Sequence, residues 1–147
     1  MADPKALYQE VILDHSRKPR NFRVLEHARC ANGYNPLCGD RVSIFLDIER
    51  GVIREVSFQG NGCAISTASA SLMTEAVKGK DRAAVQSLYD KVHELLTQQD
   101  APTDASLGKL AALSGVREFP ARVKCASLCW HTLNAALAHG AATVSTE

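Results

Sequence analysis

Four side chains in this sequence combine a type that binds a borderline-soft metal with a place at the end of an expected element: Cys38, Asp40, Cys63 and Cys125. Cys38 and Asp40 stand two residues apart in Asn35-Pro36-Leu37-Cys38-Gly39-Asp40, a turn running into the alternating apolar stretch from Arg41 to Glu49. If Cys38 to Asp40 is extended, a spacing of two puts thiol and carboxylate on one face, and Gly39 leaves the backbone free to bend so that they converge. Cys63 follows Gly60-Asn61-Gly62 and opens a breaker-free run to Lys78, so it sits at a helix N-terminus, where unpaired amides and the positive dipole end favour thiolate. Cys125 falls in the first turn of a last helix expected from about Arg122 to His139. Three thiolates and one carboxylate make a tetrahedral zinc set of formal charge about −2. Arg41, Arg122 and Lys124 stand beside these ligands in the chain and would offset that charge and lower the thiol pKa values. No Cys-x-x-Cys pair is present, so the pattern is not that of the usual structural zinc module, and spacing alone does not bring the three thiols together.

The elements that must position these groups are legible as periodicities. Pro4 to Arg17 reads as an amphipathic helix with Asp3 as cap and Leu7, Tyr8, Val11, Ile12 and His15 as its stripe. It gives way near Lys18-Pro19 to a loop with four basic residues between Arg17 and Arg23, read as solvated. Val24 to Tyr34 suggests a short strand ending at Asn32-Gly33. Val42, Ile44, Leu46 and Ile48, then Arg50-Gly51, then Val52, Arg54, Val56 and Phe58 predict a hairpin. Helices follow over Ala64 to Lys78 and over Asp81 to Gln98, the latter capped by Asp81 with Val85, Leu88, Tyr89, Val92, Leu95 and Leu96 inward. A loop around Pro102, a short helical piece from Leu107 to Leu113 and a break from Gly115 to Pro120 precede the last helix, whose stripe is Ala126, Trp130, Leu133 and Leu137, with Gly140 as stop and a frayed tail from Ala141.

With 147 residues, 46% of them hydrophobic, the chain has length for one domain with a real core. A net charge of +1 and 5% aromatics leave neither an electrostatic footprint nor a stacking platform for nucleic acid. No apolar run suits a signal peptide or a membrane span, and five cysteines are an odd number, so reduced thiols in the cytoplasm are expected rather than disulfides. Cys30 and Cys129 read as small buried hydrophobes, although Cys129 shares a helix face with Cys125. His15 lies within a helix, and His27, His93, His131 and His139 fit no ligand spacing with the cysteines, so all five are read as non-ligands; Ser66 to Thr74 reads as a polar helix face without a partner base.

Four motifs in order carry a resemblance. Leu7-Tyr8-Gln9-Glu10-Val11-Ile12-Leu13-Asp14-His15 with Lys18-Pro19-Arg20-Asn21, then Asn35 to Asp40, then Gly60-Asn61-Gly62-Cys63-Ala64-Ile65-Ser66, then Phe119-Pro120-Ala121-Arg122-Val123-Lys124-Cys125 are similar to the U-type iron-sulfur cluster assembly proteins, over roughly Leu7 to His139. The resemblance implies a single domain over residues 1–147, with a core of about 5–140. It implies an α+β fold, a small antiparallel three-stranded sheet packed by helices, with Cys38, Asp40, Cys63 and Cys125 at one exposed tip. The IscU branch has a histidine just before the third cysteine and a Leu-Pro-Pro-Val-Lys motif upstream. Here Lys124 and Phe119-Pro120-Ala121-Arg122-Val123-Lys124 stand in their places, which resembles the SufU branch. That branch implies bound zinc and a zinc-dependent sulfurtransferase role, with Cys38 taking sulfur from a SufS-type cysteine desulfurase and passing it to downstream iron-sulfur assembly or apo-proteins. The alternatives are a scaffold on which Cys38, Cys63 and Cys125 hold iron or a transient 2Fe-2S cluster, and an inert domain held together by structural zinc.

Overall fold

Alternation of apolar and polar residues builds the sheet, and its phase decides which side chains face the helices. The structure, a computed structural model, describes residues 4–26, 28–36, 39–98, 105–139 and 142–145. Strand β1 (Arg29–Asn35) pairs antiparallel with β2 (Asp40–Glu49), and β2 with β3 (Val52–Asn61). Along β2, Asp40, Val42, Ile44 and Leu46 are buried, while Arg41 and Asp47 are exposed. On β1 the inward set is Ala31, Gly33 and Asn35. The predicted hairpin forms around Arg50 and Gly51, but β3 carries an irregularity opposite Asp47 and Ile48 that flips its phase. Ile53 is therefore inward and Val52 exposed, whereas Val56 and Phe58 keep the inward phase expected of them.

The helices cover one face of this sheet. Helix α4 (Pro120–His139) lies against β1 and β2, and α2 (Ala64–Val77) packs on β3 and α4. Helix α1 (Pro4–Arg17) packs on α2, and α3 (Arg82–Thr97), capped by Asp81 accepting from the Ala84 N–H at 2.8 Å, packs on α4 and on a 3-10 segment (Ala105–Glu118). The inward stripe of α3 is as expected, with Tyr89 half-buried at its margin. The 3-10 segment, bent at Gly108, runs through the break expected after Gly115. Trp130, Leu128, Leu133 and Met73 are among the largest side chains wholly inside.

Three differences from the sequence reading have physical causes. The tail contains a strand, β4 (Ala142–Ser145), which pairs in parallel with Ala31 to Tyr34 and extends the three-stranded antiparallel sheet to the order β3-β2-β1-β4. The run from Ser66 to Thr74 is interior rather than a polar surface, because α2 is enclosed by α1, α4 and β3 and its hydroxyls find partners there. Ser69 donates to the Ala126 carbonyl at 2.6 Å, Ser71 meets His15 Nδ1 at 2.8 Å, and Thr74 donates to the Ser71 carbonyl at 2.7 Å. The basic loop is likewise tied down, with the Arg20 N–H donating to Ser71 Oγ and Asn21 Nδ2 to Thr74 Oγ1. Asp3, His27, the loop around Pro102, Gly140 and the Leu7 and Tyr8 side chains lie outside the described residues.

Candidate metal centre

Strand parity places the first candidate ligand. Asp40 opens β2 in phase with Val42, Ile44 and Leu46, so its side chain is turned toward the helices, 1% exposed. Gly39 before it has φ of +71°, a left-handed conformation that a β-carbon disfavours, and its N–H closes a turn on the Asn35 carbonyl at 2.8 Å. The backbone from 39 to 40 is thus a turn entering a strand, as the sequence suggests. Cys38 lies outside the described residues.

Register places the second. Arg41 pairs with Asn61 at the end of β3, so Cys63, two residues on, arrives beside Asp40. Cys63 is the N-cap of α2, with φ −70° and ψ 169°, and its Sγ accepts from the Ser66 N–H at 3.4 Å, so the helix-terminus environment expected of this thiol is present. Its own N–H donates to Asp40 Oδ1 at 2.9 Å, and its Sγ lies 3.8 Å from Asp40 Oδ2. One carboxylate oxygen therefore braces the backbone while the other faces the thiol. A β-carbon on Gly62 would fall 2.8 Å from Asp40 Oδ1, so a residue without one lets the loop close over the carboxylate.

The third candidate ligand comes from α4. Pro120 starts that helix, which suits a residue with no N–H to leave unpaired, so Cys125 stands in the second turn and not the first. Its thiol is fully buried and donates to the Ala121 carbonyl at 3.8 Å, while the Asn35 side-chain amide donates to its Sγ at 3.6 Å. Direct contacts, not a helix end, surround this thiol.

Ligand atoms of Asp40, Cys63 and Cys125 all lie within 4.8 Å of one another. In a tetrahedral zinc site, bonds of about 2.3 Å to sulfur and about 2.1 Å to oxygen put ligand atoms roughly 3.5–3.8 Å apart, so the three need little movement to share an ion. Two thiols and a carboxylate suit zinc or iron and not magnesium or calcium, which prefer oxygen alone. The cluster opens to the surface at half-buried Cys63, above buried Asp40 and Cys125.

Other candidates separate cleanly. Arg41, one residue out of phase with Asp40, is exposed on the opposite face, with its guanidinium 5.2 Å from the Tyr34 ring centre. Arg122 and Lys124 are exposed on α4. Cys129 is buried against Ser69 Oγ at 3.5 Å, and burial pushes its thiol up to about 12. Burial also raises the Cys30 thiol. His15 is a core residue whose pKa is lowered by burial, and His131, lowered for the same reason, meets the Tyr89 hydroxyl at 2.9 Å. Asn35, read from sequence as a turn residue, is the contributor that spacing did not single out; its inward phase with Ala31 and Gly33 is the signal that points to it.

With this geometry in view, the family is secure. Residues 7–126 match the NifU-like N terminal domain, and the chain belongs to that family of iron-sulfur cluster assembly proteins. It is 39% identical over 137 residues to the zinc-dependent sulfurtransferase SufU of Bacillus subtilis, covering 93% of each chain. It is 38% identical to the iron-sulfur cluster assembly scaffold protein IscU of Streptococcus pyogenes, over 92% of this chain and 85% of that one. A crystal structure of a putative scaffold protein for the SUF system from Fervidobacterium Islandicum AW-1 superposes with a TM-score of 0.82 at 32% identity, over 89% of this chain and 96% of that chain. The α+β fold expected from sequence is the one shared with these relatives. No helix among the described residues is long and apolar enough to cross a membrane.

Proposed function

We propose that this protein is a zinc-binding sulfur acceptor that takes persulfide sulfur from a SufS-type cysteine desulfurase and passes it on to iron-sulfur assembly. The observation that supports it most is the meeting of Asp40, Cys63 and Cys125 from three different elements within 4.8 Å. Cys38 is the fourth ligand on this reading; chain connectivity alone keeps its Cα within about 7 Å of that of Asp40. Zinc, when bound, would hold the thiols deprotonated and protected until the partner docks. Cys38 is also the acceptor. Its thiolate attacks the terminal, sulfane sulfur of the desulfurase persulfide; a new sulfur–sulfur bond forms on Cys38, the old one breaks, and the desulfurase cysteine leaves as thiolate, with no net oxidation. Asp40, a harder donor than the thiolates, is the corner of the site most readily exchanged. The compartment we assign to the protein is the cytoplasm, where thiols are kept reduced.

A scaffold role is the second reading, favoured by the equal similarity to a protein named IscU. Metal analysis of untagged protein beside a desulfurase assay separates the two. About one zinc per chain, with alanine release from cysteine stimulated by the protein, supports the acceptor. Iron with acid-labile sulfide, and zinc absent from protein made in zinc-sufficient cells, supports the scaffold. Metal loss that unfolds the chain while desulfurase turnover ignores the protein would leave an inert zinc domain.

A further inference from the structure

Asn35 holds an unusual position among the described residues. It is the last residue of β1, fully buried, and its ladder partner is Asp40. Its carbonyl accepts the Gly39 N–H that closes the turn, and its side-chain amide reaches away to Cys125 Sγ on α4. A single residue thus joins the turn that closes at Gly39, the strand entrance that carries Asp40, and the third thiol.

From this geometry we infer that Asn35 is a positioning residue for the metal centre, its Nδ2–H group donating to the Cys125 sulfur when that sulfur binds metal. The inference rests on the metal-binding reading above. A donor on a metal-bound thiolate fixes the direction of its lone pairs and draws off negative charge, which matters where two further anionic ligands converge and Arg41 faces elsewhere. The alternative is that Asn35 is a buried amide that satisfies itself on the nearest polar atom and only supports the fold.

A test that needs no mutation uses the full chain loaded with cadmium-113 and labelled with nitrogen-15. A proton–cadmium correlation to one Asn35 side-chain amide proton, carried through the N–H···S–Cd bridge, is expected. Cadmium bound without that coupling overturns the inference and leaves the metal-binding reading standing. Failure of the unaltered protein to take up cadmium or zinc removes both. A second arm measures zinc by chelator competition in Asn35→Asp and Asn35→Ala, with the thiolate-to-metal charge-transfer band of the cobalt-loaded forms as a readout that fold support alone would not move. Asn35→Asp keeps the shape and loses the donor, so zinc should bind about tenfold or more weakly and the band should shift. Unchanged affinity and band in folded Asn35→Asp would contradict the assignment.

Discussion

Replacing Asp40 by Asn and by Ala separates the two jobs of its carboxylate. Oδ1 accepts the Cys63 N–H at 2.9 Å and Oδ2 faces the Cys63 thiol. Asn keeps an oxygen for the N–H and removes a buried negative charge, so the metal-free Asn variant should match the unaltered protein or exceed it slightly in stability. Ala removes the brace and leaves a cavity beneath Gly62. Loss of a hydrogen bond to a charged acceptor costs about 1.5–3 kcal/mol. For a chain of this size that is a fall in Tm of roughly 3–10 °C. Urea and thermal melts of the metal-free proteins, followed by circular dichroism, give the comparison. Equal stability of the Ala and Asn variants would refute the bracing role. In the zinc-loaded state both should retain metal more weakly than the unaltered protein, since water can enter the vacated corner.

Gly62→Ala should disturb the same carboxylate from the other side, because the new methyl group meets Asp40 Oδ1; weakened zinc binding in a chelator titration is expected, and unchanged binding would show that the loop yields freely. Cys129→Ala should leave zinc content intact, and in the native metal-free protein at pH 8 iodoacetamide should label Cys63 well before Cys129, whose thiol stays protonated. His15 has its pKa lowered in the fold, so the unfolded chain binds more protons as pH falls through the ordinary histidine value of about 6.5. Its contribution to stability is present above that value and lost as pH drops toward the depressed folded one, so His15→Gln should flatten the decline in urea midpoint between about pH 7 and 5.

Much of this architecture was readable because periodicity and turn chemistry agree locally. The β2 alternation, the Arg50-Gly51 turn, the Asp81 cap and the placing of Cys63 after Gly62 all follow from nearest neighbours along the chain. What was missed depends on tertiary neighbours. Val52 is outward because of an irregularity that only the pairing with β2 creates. The Ser66 to Thr74 run is buried because three elements enclose α2, which no single-helix pattern records. Arg41 was taken as a charge partner from adjacency, whereas strand parity sends it to the other face. The convergence of Cys125 with Asp40 depends on α4 crossing β1 and β2, and the role of Asn35 on the same packing.

The central claim is that sulfur arrives on Cys38. Single-turnover reaction with a persulfide-loaded SufS-type desulfurase, followed by alkylation and peptide mass spectrometry, locates it directly. The account predicts one added sulfur atom on the Cys38 peptide, none on Cys129, and no transfer to Cys38→Ala. Transfer to Cys63 or Cys125 with Cys38 unmodified, or full transfer to the Cys38→Ala protein, would contradict it.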